Sequence, residues 1–103
     1  MAYVIVWEFR VLAGMEKAFE QAYGADGEWA RCFRRDRAYI RTDLLRDERD
    51  GSRYLTVDVW ESESAYEAFR ATRIEEYREI DAQCEALTES EREVGRFVAV
   101  AGG

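Results

Sequence analysis

The stretch Arg53–Phe69, RYLTVDVWESESAYEAF, constrains the fold more than any other part of the chain, because residues of alternating character run directly into a helix start. Successive side chains of a strand point to opposite sides, which puts Leu55, Val57 and Val59 on one face and Tyr54, Thr56, Asp58 and Trp60 on the other. Both faces carry bulky groups, so neither is open to bulk water along its whole length. Ser64-Ala65-Tyr66-Glu67 has the capping-box pattern, with Ser62 the alternative N-cap, and either opens a helix just after Trp60. An aromatic side chain at such a joint is placed to wall a pocket.

The flanking segments extend the pattern. Tyr3, Ile5, Trp7, Phe9 and Val11 alternate with Val4, Val6, Glu8 and Arg10, which predicts a first strand with one strongly apolar face. Ala13-Gly14 ends it, and Met15, Ala18, Phe19, Ala22 and Tyr23 then recur at helical spacing. Gly24 and Gly27 interrupt that helix before Trp29, Ala30, Cys32 and Phe33 resume it, so the first crossover is expected in two pieces. Tyr39–Asp47 reads as a second strand, joined to the third through Asp50-Gly51, a dipeptide suited to the positive φ of a tight hairpin turn. The helix after Trp60 is expected to run unbroken to about Leu87, with Tyr66, Phe69, Arg73, Tyr77, Ile80, Cys84 and Leu87 as its inner stripe. A last strand is expected over residues 93–101, with Val94, Arg96, Val98 and Val100 alternating against Gly95, Phe97 and Ala99. The order strand, helix, strand, strand, helix, strand predicts an α+β, ferredoxin-like βαββαβ sandwich in one domain, residues 1–103, with both helices on one face of an antiparallel sheet. The opposite face is partly apolar, and a second copy of the chain is its simplest cover.

Bulk properties limit the partners. A chain of 103 residues with 48% hydrophobic and 14% aromatic residues is an ordered globular domain, yet one small enough to gain from association. A net charge of -7 repels phosphate backbones and anionic lipid, so neither nucleic acid nor membrane is expected as a partner. The basic run Arg31, Arg34, Arg35, Arg37 is diluted by Glu28 and Asp36 and reads as a solvated helix face. The start lacks the basic and apolar regions of a secretory leader, and a cytoplasmic location is expected. Cys32 and Cys84 read as small buried hydrophobes, with a disulfide between them left open. With no histidine in the chain, the common zinc sets and a histidine-ligated haem have no ligands.

The segments WEFRVLAG, YGADGEWARCFRRDRAYIRTDLLRD, RYLTVDVWESESAYEAF and EYREIDAQCEALTESE together resemble the antibiotic biosynthesis monooxygenase family over nearly the whole chain. The resemblance implies ferredoxin-like domains pairing into a homodimeric α/β barrel. For the members of known activity it implies oxidation of aromatic polyketides by oxygen, with no metal or organic cofactor. A related branch degrades haem using an asparagine on the first strand, a tryptophan ending the third, and a helical histidine. Only the tryptophan has a counterpart here, Trp60, which argues against haem degradation.

On this reading Trp60 and Trp7 would wall a flat apolar pocket and Trp29 would close its mouth; the alternative for all three is ordinary core. Asp58 would be a general base with a raised pKa, or else the ion-pair partner of Arg41 or Arg96. Arg73, the charged member of the inner stripe, would hold an oxyanion, or else snorkel to the edge and pair with Asp81. Tyr66 and Tyr77 would offer hydroxyls to a substrate, or else be satisfied core tyrosines. The expected function is a cofactor-independent monooxygenase acting on a small aromatic compound; the alternative is a non-catalytic dimeric domain that binds a small apolar metabolite. Asp58 locked in a salt bridge and a filled space under Trp60 would favour the alternative.

Overall fold

The computed structural model describes residues 2–100. Strand β1 (Tyr3–Val11) is followed by helices α1 (Glu16–Tyr23) and α2 (Glu28–Phe33), strands β2 (Tyr39–Arg46) and β3 (Arg53–Trp60), helices α3 (Glu63–Thr72) and α4 (Ile74–Cys84), a 3-10 turn at Glu85–Leu87, and strand β4 (Thr88–Val98). The strands form one sheet in the order β2-β3-β1-β4, every pair antiparallel, which is the expected α+β ferredoxin-like arrangement. Tyr3, Ile5, Phe9 and Val11 of β1 and Tyr54 and Trp60 of β3 are buried beneath the helices, where they meet Phe19 of α1 and Tyr66 and Phe69 of α3.

Local chemistry accounts for the element boundaries. Gly14, at φ +89, is the positive-φ glycine that turns the chain from β1 into α1. Ser62 rather than Ser64 caps α3, its hydroxyl accepting from the Ala65 N–H at 3.2 Å. Between β2 and β3 no positive φ occurs, contrary to the expectation for Asp50-Gly51. The chain is turned instead by Asp47, whose Oδ1 accepts from the N–H groups of Arg49 (2.7 Å) and Asp50 (3.1 Å), with Asp50 Oδ1 accepting from Ser52 at 3.1 Å.

The helix expected to continue from Trp60 to Leu87 is in fact two helices that meet at Arg73, where φ is -116 and ψ is 30. Hydrogen bonds flank the joint, Arg73 N–H to Phe69 O and Tyr77 N–H to Arg73 O, both 2.9 Å, so the spacing of apolar residues continues across it and conceals it. The two halves address different parts of the core. Phe69 packs on Trp60 (ring centroids 5.0 Å) and Phe33 (5.5 Å), whereas Tyr77 meets Trp29 edge-on at 4.8 Å.

Strand β4 begins at Thr88, ahead of the expected Glu93, because its first half, TESER, is held by backbone pairing to β1 and carries no apolar alternation. Its pairing shifts by one residue between Val6 and Trp7, opposite Val94. That bulge takes Val94 off the face it would share with Arg96 and puts Glu93 there instead. Residue 101, the expected end of this strand, lies outside the described residues. Cys32 and Cys84 are buried free thiols.

Candidate functional site

The helix-facing side of the sheet is not filled throughout: a cavity of about 470 Å³ opens between its centre and the helices. Trp7 and Phe9 on β1, Thr42 on β2, and Thr56 and Asp58 on β3 form its floor. Trp29 and Phe33 from α2, Arg70 from α3 and Tyr77 and Asp81 from α4 cover it, while Tyr23 and the β4 residues Glu91, Glu93 and Arg96 complete the walls.

Asp58 is the acid on the floor. The Thr42 hydroxyl donates to its Oδ1 at 2.6 Å and itself accepts from the Tyr39 hydroxyl at 2.7 Å. Burial pushes the Asp58 carboxyl up to about 6 from its ordinary 3.8, with the Thr42 hydrogen bond opposing the shift. Neither Arg41 nor Arg96 pairs with it: Arg41 bridges to Asp43 at 3.2 Å, and Arg96 to Glu67 and Glu93, each at 3.0 Å. Among the described residues Asp58 therefore has one hydrogen-bond donor and no salt bridge.

Around it the lining is aromatic. Trp7 lies half-buried beside Phe9, ring centroids 6.4 Å apart, and Trp29 packs between Tyr23 at 6.1 Å and Tyr77 at 4.8 Å. The Arg70 guanidinium sits 4.5 Å from the Tyr77 ring centre and has no carboxylate within ion-pair distance among the described residues. Burial holds the phenols of Tyr23 and Tyr77 protonated well beyond the ordinary tyrosine range. Glu91 is raised by its own burial, with Asp81 and Glu85 adding like-charge repulsion.

Three residues singled out from the sequence stand elsewhere. Trp60 is fully buried at 0% exposure and lies one layer behind the cavity, edge-on to Phe33, whose ring forms part of the wall. Alternation placed it on the correct face of β3, but α3 starts directly beyond it and Tyr66 and Phe69 fill the space beside it. Tyr66 is a core residue for the same reason. Arg73, at the joint between α3 and α4, points away from the cavity to Glu76, 3.8 Å away, and does not pair with Asp81, which lines the cavity. The cation facing the site is Arg70, one turn earlier. Tyr66, Arg70 and Tyr77 also fit a helical stripe, and that spacing was the signal for it. Thr42 and Tyr39 carried no such signal. The cavity thus brings together Asp58, Trp7, Trp29 and Tyr77 of the sequence candidates and adds Arg70, Thr42 and Arg96.

A titratable carboxylate, an unpaired guanidinium and flat aromatic walls in a space of this size can take a proton from a planar molecule and hold the resulting negative charge. The described residues contain no group of three or more metal-ligating side chains and no helix long and apolar enough to cross a membrane.

A family model described as antibiotic biosynthesis monooxygenase matches residues 2–83. No curated protein matches the chain in sequence. Among solved structures, SnoaB, a cofactor-independent oxygenase from Streptomyces nogalater, is similar with a TM-score of 0.78 at 23% identity, covering 96% of this chain and 93% of its own. A candidate antibiotic biosynthesis monooxygenase from Deinococcus radiodurans has a TM-score of 0.77 at 12% identity, covering 99% and 95%. A Pseudomonas aeruginosa protein has a TM-score of 0.69 at 16% identity, covering 97% and 95%. At these identities the likeness is one of fold.

Proposed function

The chain belongs to the antibiotic biosynthesis monooxygenase family, and from that premise we propose that it is a cofactor-independent monooxygenase acting on a small, electron-rich aromatic compound. One observation carries the reading: Asp58, with a pKa raised to about 6 and no salt bridge among the described residues, faces an aromatic cavity that also holds an unpaired arginine. A base with a pKa near neutrality is largely ionised at pH 7 and still basic enough to take a proton. The description of SnoaB as a cofactor-independent oxygenase supports the same chemistry.

For a hydroxylated anthrone the atoms balance as follows. Asp58 takes a proton from the ring methylene, and the carbanion passes one electron to oxygen. Recombination of the two radicals forms a carbon–oxygen bond and a peroxide, which takes up a proton. Loss of the remaining methylene hydrogen with the outer oxygen releases water and leaves a carbonyl, so that one oxygen atom enters the substrate. Trp7, Trp29 and Tyr77 orient the ring, and Arg70 stabilises the oxyanion.

The experiment is oxygen uptake by the purified protein with a panel of hydroxylated anthrones and quinols. Consumption matched by quinone formation is expected. Binding without uptake would sink the oxygenase reading and support a non-catalytic domain for a small apolar molecule, which the filled space around Trp60 also suits.

We also infer a homodimer. The sheet face away from the helices carries Val4, Val6, Leu55 and Val57, and beside them the exposed Leu45 (49%) and Phe97 (49%). Such a patch on a four-stranded sheet fits the matching face of a second copy. Light scattering at micromolar concentration is expected to give twice the 12.0 kDa chain mass, and Phe97→Asp to give the single-chain mass. A monomeric wild-type protein would overturn the inference.

A further inference from the structure

The geometry points to Tyr39 and Thr42 as positioning residues that, through a bulge in β2, orient the Asp58 carboxylate and leave one of its oxygens free for the substrate's proton. The functional meaning of this inference rests on Asp58 being the base proposed above, while its geometry stands apart from that reading.

In a regular strand Tyr39 and Thr42, three apart, would point to opposite faces of the sheet. The register shows why they do not: Tyr39 pairs with Trp60, whereas Arg41 pairs with the adjacent Val59, so Ile40 is an extra residue. Tyr39 and Thr42 consequently both face the helices, as do their partners Trp60 and Asp58. Ile40, left out of the pairing, is 47% exposed, so its own packing gives no reason for the bulge.

The Tyr39 ring is clamped edge-on to Trp60 at 5.4 Å and tilted against Phe33 at 5.5 Å, which holds its hydroxyl against Thr42. A threonine hydroxyl has a single proton to donate. Because Tyr39 donates to the Thr42 oxygen, the Thr42 proton is directed to Asp58 Oδ1, and donation into the chain strengthens that second bond. Asp58 Oδ2 has no donor among the described residues. It is therefore the oxygen that meets a substrate proton. A hydrogen bond to the ionised form also counteracts burial, which alone would carry the carboxyl further up.

The other charges facing Asp58 come from Arg70 on α3, Asp81 on α4, and Glu91, Glu93 and Arg96 on β4, with the Tyr77 hydroxyl above. All of these are unchanged by substitutions on β2, so a shift on altering Tyr39 or Thr42 reports the hydroxyl chain itself.

The test is a titration of the Asp58 carboxyl carbon by NMR in the full chain labelled with ¹³C-aspartate, the signal assigned by its loss in Asp58→Asn. Thr42→Val is expected to raise the midpoint by about one unit or more, and Tyr39→Phe by a smaller step in the same direction. Thr42→Ser, which keeps the hydroxyl, is expected to return it to the wild-type value. The chain is overturned if Tyr39→Phe leaves the midpoint in place, or if Thr42→Ser shifts it as far as Thr42→Val. Should Thr42→Val fail to fold, Tyr39→Phe decides by itself: a raised midpoint supports the chain, and an unmoved one overturns it. The titration needs no substrate: midpoints that move as stated support the chain even if no anthrone is oxidised, a result that would remove only the oxygenase reading.

Discussion

Asp58→Asn is expected to lower oxygen uptake with a hydroxylated anthrone by about 10²- to 10⁴-fold, the usual contribution of a positioned general base. The same variant is expected to be more stable than the wild type above pH 7. The unfolded carboxyl titrates near its ordinary 3.8 and the folded one near 6, so the folded state disfavours the ionised form. That penalty is fully present above about pH 6, shrinks as pH falls, and is absent below 3.8. A shift of this size corresponds to roughly 3 kcal/mol at most, and asparagine, whose oxygen can still accept from Thr42, removes the penalty without removing the hydrogen bond. Urea titrations at pH 5 and pH 8 check the sign: the advantage of Asp58→Asn should be larger at pH 8. An active Asp58→Asn protein would dismiss Asp58 as the base. A variant less stable at pH 8 than the wild type would show instead that the carboxylate is structural. The pairing of lost activity with gained stability is what separates a functional acid from a supporting one.

How far such a site can be read from sequence depends on which geometry periodicity records. The order of elements was legible because β1, β3 and the second half of β4 alternate and the helices repeat on their own scale, and this was enough to place Asp58, Trp7, Trp29 and Tyr77 facing the side the cavity occupies. Periodicity gives the face a residue occupies and says nothing of depth. Trp60 shares its face with Asp58, yet the one lies under α3 and the other under open space. Nor does periodicity show local irregularity. The bulge at Ile40 brings Tyr39 to Asp58's partner, the shift at Val94 brings Glu93 beside Arg96, and the joint at Arg73 turns that side chain outward. Each is a one-residue departure from a regular pattern, and each decides which polar group reaches the site. The residues that tune Asp58 were thus the hardest to foresee, since a threonine and a tyrosine on an edge strand look like ordinary strand formers until the register is known.

Trp60→Ala is expected to cost about 3–5 kcal/mol of stability, the range for removing a large buried aromatic side chain. Set against the roughly 5–15 kcal/mol that holds a small domain together, a loss of that size brings the folded state close to its limit. The indole is fully buried and touches Phe33, Tyr39, Tyr66 and Phe69 at centroid distances of 5.5, 5.4, 5.4 and 5.0 Å, so its removal unsupports α2, β2 and α3 together. Trp60→Phe is expected to cost far less than its lost area suggests. The Trp60 Nε1–H is buried with no hydrogen-bond partner, and an orphaned donor carries a penalty of about 1–3 kcal/mol that phenylalanine does not have. The two substitutions therefore separate packing from polarity, and the measurement is the urea midpoint followed by far-ultraviolet circular dichroism. A pocket-wall tryptophan would behave differently, since truncating it would enlarge a space already open and leave the midpoint nearly unchanged. Nearly equal, small losses for Trp60→Ala and Trp60→Phe would thus return Trp60 to the cavity. A large loss for alanine alone makes it the prop behind both Phe33 in the wall and Tyr39 in the hydroxyl chain, so that its contribution to the site passes through the residues it holds in place.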